Sequence, residues 1–346
     1  MRFTDRRTLL RAGAVSAAAG AATLLPDTTA ANAAVIGPWQ YVAPGASIQA
    51  AIAAGAEAIQ LGAGVYSITS PIVPTRGCAI RGVGQSTRIV AGAPMNEVIA
   101  IGNGGAIDGV YIGDLVCDAT GKAAYGISLN IVGTTGNYKG ESDAVTRLDD
   151  LWIYTPTKDG IIYQGADTQA TVTSRVRVRQ AGNIGFNVLA SDNVFVACEA
   201  TTADATGQHG FYVGSANCHF HACKARYCRG YGWHIKGSRN SFMGCEAQDT
   251  RLHGWYIEYD KNTFNGCMAD TAAMYDVGGT AGTSDGFYFV PGTLTTLTGC
   301  MAFDRKPAGK PAQQRYGFNI PTTLKDGGLF VANTGWDNTA GTVNIR

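Results

Sequence analysis

All five histidines of this chain fall between positions 209 and 253: His209, His219, His221, His234 and His253. Imidazole is the side chain whose ordinary pKa lies closest to neutrality, so the cluster marks a stretch where protons can be moved at physiological pH. The same stretch is rich in cations. Between positions 209 and 261, Lys224, Arg226, Arg229, Lys236, Arg239, Arg251 and Lys261 stand against Glu246, Asp249, Glu258 and Asp260. A basic surplus beside titratable groups suits an anionic ligand. It points to removal of a proton from a carbon made acidic by a neighbouring carboxylate whose charge is countered. Hydrolysis of a glycosidic bond needs instead two carboxylates about 5–9.5 Å apart. Asp249, Glu258, Asp260 and Asp270 could supply such a pair, as could the adjacent Asp149 and Asp150.

A repeat positions these residues. Gly185-Phe-Asn-Val, Gly210-Phe-Tyr-Val, Gly232-Trp-His-Ile, Gly254-Trp-Tyr-Ile and Gly286-Phe-Tyr-Phe share one pattern, with steps of 25 (185 to 210), 22 (210 to 232), 22 (232 to 254) and 32 (254 to 286). After each comes a second element of the form Phe/Leu-x-Ala/Gly-Cys-x-Ala, around Cys198, Cys223, Cys245, Cys267 and Cys300. A period of this length means a solenoid. The apolar residues alternate, the two-residue period of a strand, and no run at helical spacing supplies a helix per repeat. The spacing therefore predicts an all-β fold, a single-stranded parallel β-helix. Phe211, Trp233, Trp255 and Phe287 should stack inside it with Val213, Ile235, Ile257 and Phe289.

Alternation puts Tyr212, His234, Tyr256 and Tyr288 on the outside, with Lys236 and Glu258 beside them. Aromatic rings along a groove suit sugar, because a ring face packs on the apolar face of a pyranose. His209 and His253 share the position before the glycine, with Tyr231, Asp285 and Tyr316, while His219 and His221 share one outward strand face. The assignment is thus His234, Lys236, Arg239, Arg251 and His253 for catalysis, and Tyr212, Tyr256, Tyr288, Glu258 and His209 for substrate binding. Part of the charge has a structural use as pairs between coils, as in the column Glu199, Lys224, Glu246.

Nine cysteines would invite disulfides in an oxidising compartment. The ladder positions argue against them, since neighbouring in-register strands hold their Cβ vectors parallel, and a buried row of free thiols is expected. In such a row a serine at 245 would lack a partner and cost about 1–3 kcal/mol. Cys218, Cys223 and Cys228, with His219 and His221 between them, match none of the short ligand spacings of structural zinc, so no metal site is assigned.

The chain opens with an address. Thr4-Asp-Arg6-Arg7-Thr-Leu9-Leu10-Arg11, a weakly apolar stretch from Ala12 to Leu25 and Ala31-Asn-Ala33 resemble a twin-arginine export signal over residues 1–33. The apolar stretch is shorter than the roughly 20 residues a bilayer needs. Without residues 1–33 the 27 basic groups lose four and the 26 acidic groups lose two, leaving 23 against 24. A balance so near zero argues against bulk binding to nucleic acid or membrane. A secreted protein with a linker at 34–45 and one β-helix domain at 46–346 is expected.

Within that domain Ser47 caps a short helix whose stripe is Ile48, Ala51 and Ile52 and whose stop is Gly55; it should cover the first coil. Ala58-Ile-Gln-Leu61, Gly64-Val-Tyr-Ser-Ile68 and Cys78-Ala-Ile-Arg-Gly82-Val-Gly84-Gln-Ser-Thr87-Arg-Ile89 follow. This order resembles the opening of pectate-lyase-like right-handed β-helix proteins, which include polysaccharide lyases, family-28-type glycoside hydrolases and phage tailspikes. The resemblance runs from residue 46 to about 335 and implies the fold, an acidic, uronate-containing polysaccharide as ligand, and calcium as an allowed cofactor. Its catalytic motifs do not recur here with their family spacing, so no catalytic residue carries over by motif. Lyase action by β-elimination leads the readings; glycoside hydrolysis and non-catalytic glycan adhesion are the alternatives. Loops at Val132–Asp143, Thr271–Asp285 and Asp304–Arg315 are expected to leave the coil and wall a groove. A tail is expected after the coil of Gly317.

Overall fold

A computed structural model describes residues 35–36, 39–107, 109–133, 145–202, 206–291, 293–306, 310–326 and 329–346. The segment read as an export signal lies outside these residues, as does most of the expected loop at 132–143.

The repeating glycine sets the spacing of the coils. A Cβ on Gly210 would sit 2.6 Å from the Ala225 methyl and 2.8 Å from the carbonyl oxygen of Gly232 on the next coil. Only glycine lets the chain pass there. The strand that follows then alternates, with Phe211 and Val213 buried and Tyr212 half-exposed. Its equivalents Trp233–Ile235, Trp255–Ile257 and Phe287–Phe289 pair with it in parallel, Phe211 to Trp233 to Trp255 to Phe287. Inside, these rings stack face to face, 3.9 Å between Phe211 and Trp233 and 4.7 Å between Trp233 and Trp255. The second column, Phe195, Phe220, Phe242 and Phe264, meets the first edge-on. The core is two interlocked aromatic ladders.

Each coil bends once within the second element. Ala197, Ala222, Gly244, Gly266 and Gly299, the residues before the ladder cysteines, all have φ between 51° and 63°. That left-handed conformation explains the Gly of the motif, since glycine adopts it without steric cost, while Ala197 and Ala222 adopt it with a Cβ in place. The strands on either side of the bend join one 22-stranded sheet, while the Gly-aromatic strands form a 10-stranded sheet. Together they are the coils of a parallel β-helix, and residues 32–346 form one compact unit. The helix Ile48–Ala53 is capped by Ser47 Oγ, which accepts from Ala50 N–H at 3.0 Å, and it buries Ile48, Ala51 and Ile52. No helix among the described residues is long and apolar enough to cross a membrane.

Two expectations change. The stretch read as a linker carries strands Val35–Ile36 and Trp39–Val42, the latter paired in parallel with Ala58–Leu61. The expected tail is another coil: Thr334–Trp336 and Gly341–Ile345 pair in parallel with the strands before them. Repeat periodicity missed it because the coil lacks the Gly-aromatic signature.

All nine cysteines are free and buried. Burial pushes the Cys117 thiol up to about 12. Thiol labelling of native protein should therefore be slow and should become complete on unfolding; rapid reaction of the folded chain would contradict this ladder. A serine at 245 would not lack a partner. Cys245 Sγ lies 3.4 Å from the Phe220 carbonyl oxygen and 3.6 Å from that of Met243, so a hydroxyl there finds acceptors. The expected cost of Cys245→Ser falls below about 1 kcal/mol, read from the denaturant midpoint.

Candidate functional site

The outward face of the 10-stranded sheet carries two rows. One runs Asn187, Tyr212, His234, Tyr256, Tyr288, Asn319 in strict register. The other, before the glycines, runs His209, Tyr231, His253, Asp285.

In the second row the backbone of one coil fixes the ring of the coil before it. Tyr231 N–H donates to His209 Nδ1 at 3.2 Å, and Asp285 N–H donates to His253 Nδ1 at 2.8 Å. Each ring therefore keeps its proton on Nε2. Burial, reinforced by the neighbouring His234, pushes His209 down to about 3. Burial also takes His253 down to about 4, against the pull of the Asp285 carboxylate. Both rings are neutral at physiological pH, which corrects the expectation that the whole cluster titrates near neutrality.

His209 Nε2–H then donates to His234 Nδ1 at 3.4 Å, and His234 Nε2–H donates to Glu258 Oε1 at 2.6 Å. One proton arrangement satisfies the whole chain: Tyr231 amide, His209, His234, Glu258. Both nitrogens of His234 are committed, so the group left with an unengaged basic atom is the Glu258 carboxylate. The side chains of His234 and Glu258 are 14 % and 26 % exposed, within reach of a ligand and partly shielded from water.

The tyrosines are not open platforms. Tyr256 is sandwiched between Tyr231, at 4.5 Å, and Tyr288, at 5.4 Å, each 6° from parallel. His253 covers Tyr288 at 4.6 Å, and Arg346 lies 4.5 Å over the Tyr288 ring. Rings of the pre-glycine row lie between rings of the neighbouring row, so the faces of Tyr256 and Tyr288 are taken up by protein. Sugar stacking on these faces, the expected mode, is replaced by a row of phenol groups. Tyr212 differs, since its neighbour His234 meets it edge-on at 87°. Burial first, and the Glu258 charge among the further causes, hold the Tyr231 and Tyr256 phenols above their ordinary range, so both stay protonated.

The remaining assignments scatter. Lys236 is exposed one position beyond the strand Trp233–Ile235, on the coil before Glu258, and makes no ion pair among the described residues. Arg239 follows the same strand at the exit edge, where its Nε donates to Asn217 Oδ1 at 2.8 Å. Arg251 sits at the entry edge, beneath Gly278 of the 271–285 insertion. Arg239 and Arg251 are thus on opposite sides of the sheet and do not converge on His234. Tyr231 was missed as a site residue, although it shares the pre-glycine position with His209 and His253.

Four of the carboxylates weighed for hydrolysis, Asp249, Asp270, Asp149 and Asp150, are engaged by arginine. Asp249 is fully buried and held by Arg305, whose other nitrogen is 3.6 Å from Asp270. Burial pushes both carboxyls up while Arg305 pulls them down. Asp149 and Asp150 are each 2.7 Å from Arg175. Asp285 accepts from Arg315 at 2.7 and 2.8 Å, from Asn319 Nδ2 at 2.9 Å and from Tyr316 N–H at 3.2 Å. Calcium needs six to eight oxygen ligands. With Asp285 saturated and Glu258 bound to His234, this face does not assemble such a set.

Residues 159–335, more than half of the 346-residue chain, match the family described as right handed beta helix region. The chain belongs to this right-handed β-helix family. No curated protein matches the sequence. Among solved structures this β-helix protein is similar to the mannuronan C-5 epimerase A-module of Azotobacter vinelandii, with 12% identity and a TM-score of 0.55 over 86% of this chain and 91% of that one. It is similar to the catalytic domain of a GH87 alpha-1,3-glucanase in complex with nigerose, with 16% identity and a TM-score of 0.60 over 91% and 67%. The enzymatically active domain of bacteriophage CBA120 tailspike protein 2 gives 16% identity and a TM-score of 0.53, and the chain spans 43% of that protein. At these identities the likeness is one of fold.

Proposed function

We propose that this β-helix protein acts on an acidic, uronate-containing polysaccharide outside the cytoplasm, cleaving it by β-elimination on the outward face of the 10-stranded sheet. The observation that carries the reading is the bonded chain His209–His234–Glu258, which ends in a carboxylate beside protonated phenols, with the exposed Lys236 at the matching position of the preceding coil. Lys236 counters the uronate carboxylate, which makes the C5 proton acidic. Glu258, oriented through Oε1 by His234, takes that proton, and the Tyr256 phenol protonates the departing glycosidic oxygen as the C4–C5 double bond forms. His209 is a positioning residue that holds His234 in the tautomer that donates to Glu258. The similarity in fold to proteins described as an epimerase, a glucanase and a tailspike supports the coarser reading of a carbohydrate-active protein.

A panel of acidic polysaccharides followed by the absorbance of unsaturated uronates tests the reaction. Reducing ends without new absorbance mean hydrolysis, and binding without either means adhesion; both outcomes contradict the proposal. Tyr256→Phe separates hydroxyl from ring. It keeps the stack with Tyr231 and Tyr288, so stability should hold while turnover falls by about 10²-fold or more. Unchanged turnover would show that the phenol plays no part.

A further inference from the structure

Two of the five histidines take no part in this site. His219 and His221 flank the buried Phe220 on a strand of the 22-stranded sheet, and both rings point to solvent. Their planes are 15° apart with centroids 6.4 Å apart, and neither ring makes a hydrogen bond among the described residues. On the next coil Met243 stands in register beside His221 and is 48% exposed. An exposed thioether beside two unpartnered imidazoles is an unusual surface. The neighbouring register positions are Val194, Val196, Ser241, Thr263 and Asn265, and the first carboxylate in the row of His221 is Asp149, three coils away.

The donor set selects the metal. No group of three or more His, Cys, Asp or Glu side chains among the described residues is placed to hold an ion. Here the third donor is sulfur from methionine, which suits copper, above all Cu(I), and is foreign to structural zinc sites and to calcium. Residues two apart on a strand face the same way, and neighbouring strands lie about 4.8 Å apart. Exposed side chains so placed can turn their nitrogens and sulfur onto one ion without moving the backbone. Cys218 and Cys223 flank the strand but are buried inside the coil. We propose that His219, His221 and Met243 form a copper-binding site on the face of the 22-stranded sheet, separate from the His234–Glu258 chain.

The test is anaerobic titration of the full chain with Cu(I) presented as its bicinchoninate complex. Wild type is expected to withdraw one equivalent from the indicator. The double variant His219→Ala/His221→Ala should withdraw none, and Met243→Leu should bind at least tenfold more weakly. All nine thiols remain in these variants. Copper kept by the double variant therefore belongs to cysteine and overturns the proposal, as does a wild type that takes none or a Met243→Leu that binds unchanged. A second readout needs no variant. Diamagnetic Cu(I) should shift the imidazole resonances of His219 and His221 and leave those of His209, His234 and His253 in place; the reverse pattern also overturns it.

Discussion

Glu258→Gln is expected to lower turnover of the uronate polymer by about 10²- to 10⁴-fold, the usual contribution of a positioned general base. The substitution is chosen because it spares the geometry. His234 Nε2–H, 2.6 Å from Oε1, can still donate to the amide oxygen, so the chain from His209 stays in place while the basic carboxylate is gone. Binding should change little, and the loss should fall on kcat. His234→Ala should cost turnover too, through loss of the group that orients Glu258, and His209→Ala less, since it acts one step further back. Wild-type kcat in Glu258→Gln, on a substrate the wild type cleaves, would remove Glu258 from the chemistry.

The second large effect is on stability. His209 and His253 are held at about 3 and about 4 in the folded chain, whereas an unfolded histidine titrates near 6.5. Between about pH 6.5 and 4 the unfolded chain binds two protons that the folded chain refuses. Stability from these sites is thus complete above about 6.5 and is lost as pH falls, with a slope approaching about 2.7 kcal/mol per pH unit, twice the one-proton value of about 1.36. The double variant His209→Gln/His253→Gln should unfold with a shallower dependence in this window, measured by denaturant titration at each pH. The same slope in wild type and variant would mean that the two rings are not held neutral.

The fold was legible in the chain because a solenoid writes its core many times. Phe211, Trp233 and Trp255 follow equivalent glycines, and the alternation around them allows only one face inward. The cysteine ladder and the Ser47 helix were legible for similar local reasons. The site was only half written. The period places His234 and Glu258 on neighbouring coils, yet which nitrogen meets the carboxylate depends on the Tyr231 amide that fixes His209, a contact between coils with no sequence signature. The tyrosine column was readable as a column, but its consequence was misjudged: Tyr231 of the adjoining row and Tyr288 of its own fill both faces of Tyr256 before it can stack on a sugar. Arg239 and Arg251 looked close to His234 in sequence, but the turns carry them to opposite edges of the sheet.

The most direct test is the crystal structure of Glu258→Gln soaked with an oligomer of a uronate polymer that the wild type cleaves. The account predicts a sugar chain over the row from Tyr212 to Tyr288, a uronate carboxylate at Lys236, and C5 of that residue facing the amide at position 258. A sugar chain bound away from this row, for instance over Arg305 and the Asp249–Asp270 pair, would contradict it.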